Sequence, residues 1–472
     1  MKTSGDTRTD LRLPGPGPHL AGGWRARGLR MLRDPAEYFM RQYRTYGEVS
    51  TWQPARPRHV FAFGAEPQRA VFTEPDVFVA DAFREVKIPE GSSFHLLTNG
   101  LLRLNGDRHR RHRRLMQPTF TPRRVLSHRR AVQEVVEREL GSLRVGDTLP
   151  IDQRLARIVL LIAMRSVFDI EAPDEVDRLQ GLIGRLLAVA ASPMTLMFPF
   201  DLPGTTMRTA LRTCEEIETV LRGLIAERRP TAHDRTDMLS TMIAARDDDG
   251  AALSDDELVS EAYTAFCHDS STATLTWALF LLDQHPQVLA DLRDELSVLG
   301  GAAPDEAALD RLPLLDAVLK ETMRLLPPAP MLLRYTAGET ELGGVALPEK
   351  TMVFLSPYVT HRDPERFPRP LRFDPSRWEG PSPSAYEYLP FGAGAHNCVG
   401  RHFAMLEMKV VLAVLLQRFR PTLVPGTAVD RVMRVSLVPG NGLPVVLAPA
   451  GARIPPPEVS GNIRQSVDLS RL

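Results

Sequence analysis

From Ser254 to Gln284 apolar residues recur at helical spacing without interruption until Pro286, and Ser254 with Glu257 forms a capping box at the start of the run. The spacing predicts one helix of about 45 Å at ~1.5 Å per residue. A chain carrying such a helix is committed to a mainly helical body, and the same periodicity returns over Arg123–Leu140, Leu155–Phe168, Val176–Ala191, Met207–Glu227 and Leu314–Leu326. Strand-like alternation is confined to Val49–Trp52 and Val60–Phe63 near one end and Thr340–Leu355 and Val435–Leu447 near the other. Between the last two, Arg362–Trp378 is proline-rich and irregular. The fold class expected is α+β, mostly α with a smaller β part built from both ends.

Length alone allows about two to four domains for 472 residues, yet no repeat and no Gly/Ser-rich or charged linker divides the chain. One domain over 13–450 is expected, opening on the extended LPGPGP at Leu13–Pro18, with a polar tail at 1–12 and a second tail at 451–472. Lys+Arg and Asp+Glu both number 58, so no net basic field argues for nucleic acid or an anionic membrane as partner. No stretch approaches the ~18 apolar residues of a membrane span, and the opening MKTSGDTRTD lacks the apolar region of a signal peptide. A cytoplasmic protein is expected.

Three cysteines, Cys214, Cys267 and Cys398, are widely spaced and form no C-x-x-C, which supports neither a disulfide framework nor a structural zinc site. Cys398 stands apart. In LPFGAGAHNCVGRHFAMLEMKVVLAVLL it sits in a glycine-punctuated loop immediately before a long apolar helix, where the helix dipole and free backbone N–H groups favour a thiolate. Gly392 and Gly394 permit a tight loop, and Gly400 lets something flat approach the backbone. Other readings fail: Gly392-x-Gly394-x-x-Asn397 lacks the third glycine of a dinucleotide loop, and His361-Arg362-Asp363 has no kinase glycine loop or D-F-G to accompany it.

The spacing Phe391-Gly392-x-Gly394-x-His396-x-Cys398-x-Gly400 resembles the haem-binding loop of the cytochrome P-450 family of haem-thiolate enzymes. The resemblance implies that fold, with the long central helix lying over haem b (iron protoporphyrin), and makes Cys398 the axial ligand to iron. A thiolate there favours O–O cleavage. Phe391 would shield the sulfur. The propionates would be held by His396, by His109 and Arg113 at i and i+4 of a basic helix, and by Arg334 after the Pro327–Pro330 break. Glu321 and Arg324, three apart on one helix face, would join Arg366 of Asp363-Pro364-Glu365-Arg366-Phe367 in a buried structural triad. Arg110, Arg111 and Arg114 would remain to face an electron donor.

One segment departs from the family pattern. Where Ala-Gly-x-Asp/Glu-Thr is usual, this chain has Phe266-Cys267-His268-Asp269-Ser270. Asp269 keeps the acid and Ser270 a hydroxyl, so both are expected as catalytic residues of a proton relay, while Phe266 would crowd the oxygen pocket. The expected activity is a monooxygenase that uses dioxygen and two electrons from a separate ferredoxin and ferredoxin reductase. Its substrate would be a small to medium apolar molecule of secondary metabolism, hydroxylated or epoxidised by a monomeric enzyme. The alternative is a non-oxygenating or peroxide-using haem-thiolate catalyst: an isomerase, a dehydratase or a radical coupler. Recognition of substrate is expected from Phe94, Leu96, Leu97, Leu186, Leu187, Met194, Met197, Phe198, Phe200, Met331, Leu332, Leu333 and the Pro439–Leu443 turn.

Overall fold

The computed structural model describes residues 12–16, 28, 30–31, 33–54, 57–81, 84, 88–190, 195, 200–266 and 269–470. The chain forms two compact units, the first from residues 1–82, 330–368 and 383–397, the second from 83–329, 369–382 and 398–472.

The first unit is built on a five-stranded sheet in the order Val49–Thr51, His59–Ala62, Met352–Leu355, Leu332–Thr336, Phe78–Val79. His59–Ala62 and Met352–Leu355 pair in parallel and the other neighbours are antiparallel. All four residues of Met352–Leu355 are buried, as a central strand covered on both faces requires. Val353 and Leu355 pack with Val60, Val71, Phe72 and Phe78, while Phe354 on the other face stacks 5.0 Å from Phe61. Thr340–Leu342 and Val345–Leu347 make a hairpin turned by Gly343 and Gly344 at φ 62° and 78°. A two-residue turn with both φ positive matches the twist of the strands, and glycine takes it without penalty.

The second unit is helical. Ile151–Phe168, Pro173–Ala190, Thr206–Arg228, Pro313–Leu325 and Arg401–Arg418 follow the expected periodicity to within a few residues. Arg123–Leu140 is two helices, Pro122–Ser127 and Arg129–Gly141, divided at the buried His128. The central helix also differs from the single rod expected. Its capping box is present, with Glu257 N–H donating to Ser254 Oγ and Ser254 N–H to Glu257 Oε2. The first helix, Asp255–Ala265, ends at Phe266, whose N–H bonds back to the Ala262 and Tyr263 carbonyls. A second helix, Asp269–Gln284, then continues, and it is buried throughout Ser271–Asp283. Phe266 satisfies the apolar period while its backbone turns out of the helix, so periodicity alone does not register the break. Cys267 and His268 lie outside the described residues. Among the described residues no helix is long and apolar enough to cross a membrane.

Two small sheets complete this unit. Pro444–Pro449 lies between Thr148–Pro150 and Phe419–Leu423, and Arg431–Met433 pairs with Leu437–Pro439. The closing residues, expected as a tail, are packed: Val459, Ile463 and Val467 are buried, and Asp468 N–H donates to the Leu371 carbonyl.

Glu321 and Arg324 are fully buried and meet through two bonds, Arg324 Nε to Oε2 at 2.8 Å and Nη2 to Oε1 at 2.9 Å. The third member is not Arg366. Arg377 Nε donates to Glu321 Oε1 at 3.2 Å, beside the Asp374 N–H and the Trp378 indole, whereas Arg366 pairs with Glu387 and is 55% exposed. The sequence offers the same pattern twice, Asp363-Pro364-Glu365-Arg366-Phe367 and Asp374-Pro375-Ser376-Arg377-Trp378. Only the second turn points its arginine at Glu321. Removing a partner of a buried charge costs roughly 3–5 kcal/mol, so Arg377→Ala should lower the melting temperature markedly. Arg366→Ala should change stability by no more than about 1 kcal/mol. Equal effects of the two in thermal melts would contradict this assignment.

Candidate active site around Cys398

The cysteine loop is shaped by its glycines. Gly394 has φ 67°, and a Cβ there would lie 2.4 Å from the Phe72 carbonyl oxygen, so no other residue fits without moving backbone. A short 3₁₀ turn follows at Gly394–His396, with both Phe391 and His396 half-buried. The entrance to the loop is anchored by His361, which is fully buried and accepts the Leu389 N–H at Nε2 (2.9 Å). In the sequence His361 stands only in the rejected kinase-like tripeptide His361-Arg362-Asp363. Its role here is to hold a backbone donor that no strand satisfies.

Gly400 has an ordinary φ of −83°. A Cβ there would meet only Phe120 at 3.8 Å and the Cys398 sulfur at 4.0 Å, so the glycine answers no protein clash and leaves one flank of the sulfur open. Cys398 itself has exposed surface, yet enough protein surrounds the thiol for desolvation to push its pKa up. The Gly400 N–H, Arg113 and Arg401 pull the other way and do not outweigh it. The thiolate expected from the helix start is therefore not favoured by the protein alone. A bound cation at the sulfur would supply what is missing, since a coordinating thiol is deprotonated outright. Cys214, by contrast, is buried, with its thiol pushed up to about 12, and carries no such surroundings.

Two of the expected propionate ligands lie on the helix Gly106–Met116: His109 is buried, and Arg113 is half-buried and close enough to Cys398 for each to perturb the other. Arg334, on the strand Leu332–Thr336, is 8% exposed. It donates to its neighbour's carbonyl at Leu333 and lies 5.3 Å from the Phe72 ring centre. Burial lowers its pKa to about 10. Among the described residues no carboxylate pairs with it. An unpaired buried guanidinium is costly and is the donor that suits a ligand carboxylate. The open backbone beside the Cys398 sulfur fits the iron and flat macrocycle of haem, and Arg334, buried and paired with no carboxylate among the described residues, fits a propionate.

At the start of the helix Asp269–Gln284, Asp269 is half-buried and Ser270 is exposed. The next residue was missed. Ser271 is buried and its hydroxyl donates to Glu407 Oε1, on the helix Arg401–Arg418. Desolvation pushes Glu407 up to about 8 against the opposing bond from Ser271, so the carboxyl is held protonated near neutrality. The signal was present in sequence, because Glu407 is the one acidic residue in RHFAMLEMKVVLAVLLQR. Phe266 is buried with its ring 5.6 Å from Phe168, which makes it a core contact.

The expected cationic patch is largely neutralised. Arg111 is bound to Asp247 at 2.7 Å, to Glu257 at 3.4 Å and to the Ala252 carbonyl, while Arg110 pairs with Asp107 and Arg114 stands 4.0 Å from Asp248. His112 between them is buried, its ring nitrogens 2.8 Å from Glu261 and 3.0 Å from Glu257. Of the expected recognition residues, Phe94, Leu97 and Leu186 are buried, Leu96, Met331, Leu332 and Leu333 are half-buried, and Phe200 is 60% exposed. The Leu187 side chain, Met194, Met197 and Phe198 lie outside the described residues. A cavity of about 430 Å³ lined by His95, Arg108, Arg222 and Glu257 is polar and includes none of the residues around Cys398.

The family model for cytochrome P450 matches residues 14–444. The chain is 32% identical over 441 residues to the cyclooctat-9-en-7-ol 5-monooxygenase of Streptomyces melanosporofaciens, covering 89% of this chain and 92% of that protein. It is 29% identical to the pentalenene oxygenase of Streptomyces avermitilis, covering 88% and 92% of the two chains. Among solved structures, retinoic acid-bound cyanobacterial CYP120A1 matches 89% of this chain and 96% of that one, with TM-score 0.78 and 26% identity. With the family model spanning nearly the whole chain and the cysteine loop built to leave its sulfur open, this protein belongs to the cytochrome P450 family of haem-thiolate monooxygenases.

Proposed function

We propose that this chain is a cytoplasmic, monomeric haem b monooxygenase that hydroxylates or epoxidises a small to medium apolar molecule of secondary metabolism, drawing electrons from a separate ferredoxin and its reductase. The observation that carries the reading is the open sulfur of Cys398, flanked by Gly400, with Arg113 and Arg401 near enough to favour its charged form. The names of the cyclooctat-9-en-7-ol 5-monooxygenase and the pentalenene oxygenase support a hydrocarbon-rich ring compound as substrate.

Haem bound through a thiolate supplies dioxygen binding and O–O cleavage. The chain's own residues do the rest. Cys398 Sγ would be the iron ligand, Phe391 would shield the sulfur, and Gly400 would leave room for the flat macrocycle. His109, Arg113, His396 and Arg334 would hold the propionates. Asp269 and Ser270 would pass protons from solvent, and the buried Ser271–Glu407 pair adds a neutral acid that can hold a proton behind them.

Reduced protein under carbon monoxide should show the absorption band of thiolate-ligated haem. Cys398→Ser should lose it and Cys214→Ser should keep it, and a retained band in Cys398→Ser would overturn the assignment. For the relay, Ser270→Ala should keep haem and substrate binding while diverting reducing equivalents to peroxide, measured as product formed per NADPH consumed. Unchanged coupling would remove Ser270 from the pathway.

Glu407 also makes a pH prediction. Its pKa is raised from 4.5 to about 8 on folding, so the folded state binds more protons than the unfolded state between those values and this group's contribution to stability falls as pH rises through that window. Glu407→Gln should flatten that part of the melting-temperature profile. Parallel profiles for the variant and the parent would refute the raised pKa.

A further inference from the structure

The strands Arg431–Met433 and Leu437–Pro439 form a hairpin that is held on both sides. On one side the Leu437 carbonyl accepts the Trp277 indole N–H at 2.8 Å, and Leu437 N–H donates to the Pro328 carbonyl at 3.0 Å. Trp277 lies seven residues, or about two helical turns, beyond Ser270 and therefore on the same face of that helix, about 10 Å along its axis. The hairpin thus rests on the face that presents the proposed relay hydroxyl.

On the other side the hairpin is gripped by the closing residues. Arg431 N–H donates to Asn462 Oδ1 at 2.7 Å, and Asn462 Nδ2 returns a bond to the Arg431 carbonyl at 3.2 Å. The Arg431 guanidinium, 3% exposed, donates through Nε to Ser466 Oγ and through Nη2 to Gln465 Oε1 at 3.3 Å. Asn462 N–H reaches Asp430 Oδ1 at 2.7 Å. The approach is close enough to demand glycine at 461, where φ is 102° and a Cβ would lie 2.3 Å from the Val429 carbonyl oxygen. Ile463 and Ser466 are fully buried, and Asp468 N–H ties the segment onward to Leu371. These residues lie beyond 444, where the match to the family model ends.

We infer that residues 460–468 are a brace for the hairpin and that Arg431 is a positioning residue, setting through it the shape of the substrate space beside the helix Asp269–Gln284. The inference rests on the haem monooxygenase reading under Proposed function, with Ser270 of this helix in its proton relay, and on the family resemblance that makes the turn at Pro439–Leu443 part of substrate recognition. A reciprocal pair of hydrogen bonds between Arg431 and Asn462, one accepted and one donated by the Asn462 amide, fixes the hairpin edge in register, and the buried Arg431–Ser466 contact fixes its height. None of the hydrogen bonds given above for Arg431 and Asn462 goes to a residue proposed to bind haem.

The test is spectral titration of the full-length, haem-loaded protein with two nitrogen ligands, imidazole and 4-phenylimidazole. Both report iron access, but only the second is large enough to feel the walls. Arg431→Gln and Asn462→Ala should keep the carbon monoxide band and bind imidazole as the parent does. Their affinity for 4-phenylimidazole should change by about fivefold or more, the scale of one hydrogen-bonded contact, while Asn462→Asp, which keeps the acceptor for Arg431 N–H, should retain most of the parent's ratio. Should Arg431→Gln not fold, Asn462→Ala alone carries the test. A lowered melting temperature with an unchanged ratio of the two affinities would overturn the brace as a determinant of substrate fit. Absence of the carbon monoxide band and of an imidazole complex in the parent would instead overturn the haem reading, and the inference with it.

Discussion

A single carboxylate without exposed surface fixes the part of the second unit that no sheet or helix organises. Glu321 takes hydrogen bonds from Arg324, Arg377, the Asp374 N–H and the Trp378 indole. Arg324 in turn donates to the Pro370 and Arg372 carbonyls. Burying an ion costs several kcal/mol unless its remaining lone pairs and protons are satisfied, and here they are satisfied by backbone and side chains of the proline-rich stretch itself. A segment with no ladder of its own thereby acquires one fixed path, and the chain runs on from it through 383–397 into the cysteine loop.

The same economy of charge governs the site. Around Cys398 the protein supplies an N–H and two guanidinium groups, yet desolvation still prevails over them. Arg334 is a cation buried against a phenyl ring and a carbonyl, with no acid paired to it among the described residues. Each imbalance is unfavourable for the protein alone: a metal cation would relieve the one at the sulfur, and a ligand carboxylate the one at the guanidinium. Ser271 and Glu407 follow a different rule. There the buried acid is neutral, so it needs only a hydrogen bond, and a hydroxyl one residue beyond the expected one provides it.

Sequence revealed what is local and periodic. The cysteine loop was legible because its glycines, histidine and cysteine fall within ten residues, and the helices because their apolar spacing is regular. What escaped depends on partners far away along the chain. Arg111 looks free in RHRRHRR, but its carboxylate, Asp247, lies 136 residues on. Ser270 and Ser271 differ by one step, which turns a side chain about 100° around a helix and separates an exposed hydroxyl from a buried one. Arg366 and Arg377 stand in nearly identical local patterns, and only the path of the intervening turn chooses between them. The closing residues looked like a tail because Pro455-Pro456-Pro457 forbids regular structure, although buried Ile463 and Val467 and the bonds of Asn462 need none.

The central claim is that the sulfur of Cys398 is bound to haem iron. Resonance Raman spectroscopy of the oxidised holoprotein, prepared with ordinary and with sulfur-34-labelled cysteine, addresses that bond directly. An iron–sulfur stretching band that moves to lower frequency on labelling is the predicted result. A haem spectrum with no band sensitive to the sulfur isotope would contradict the account.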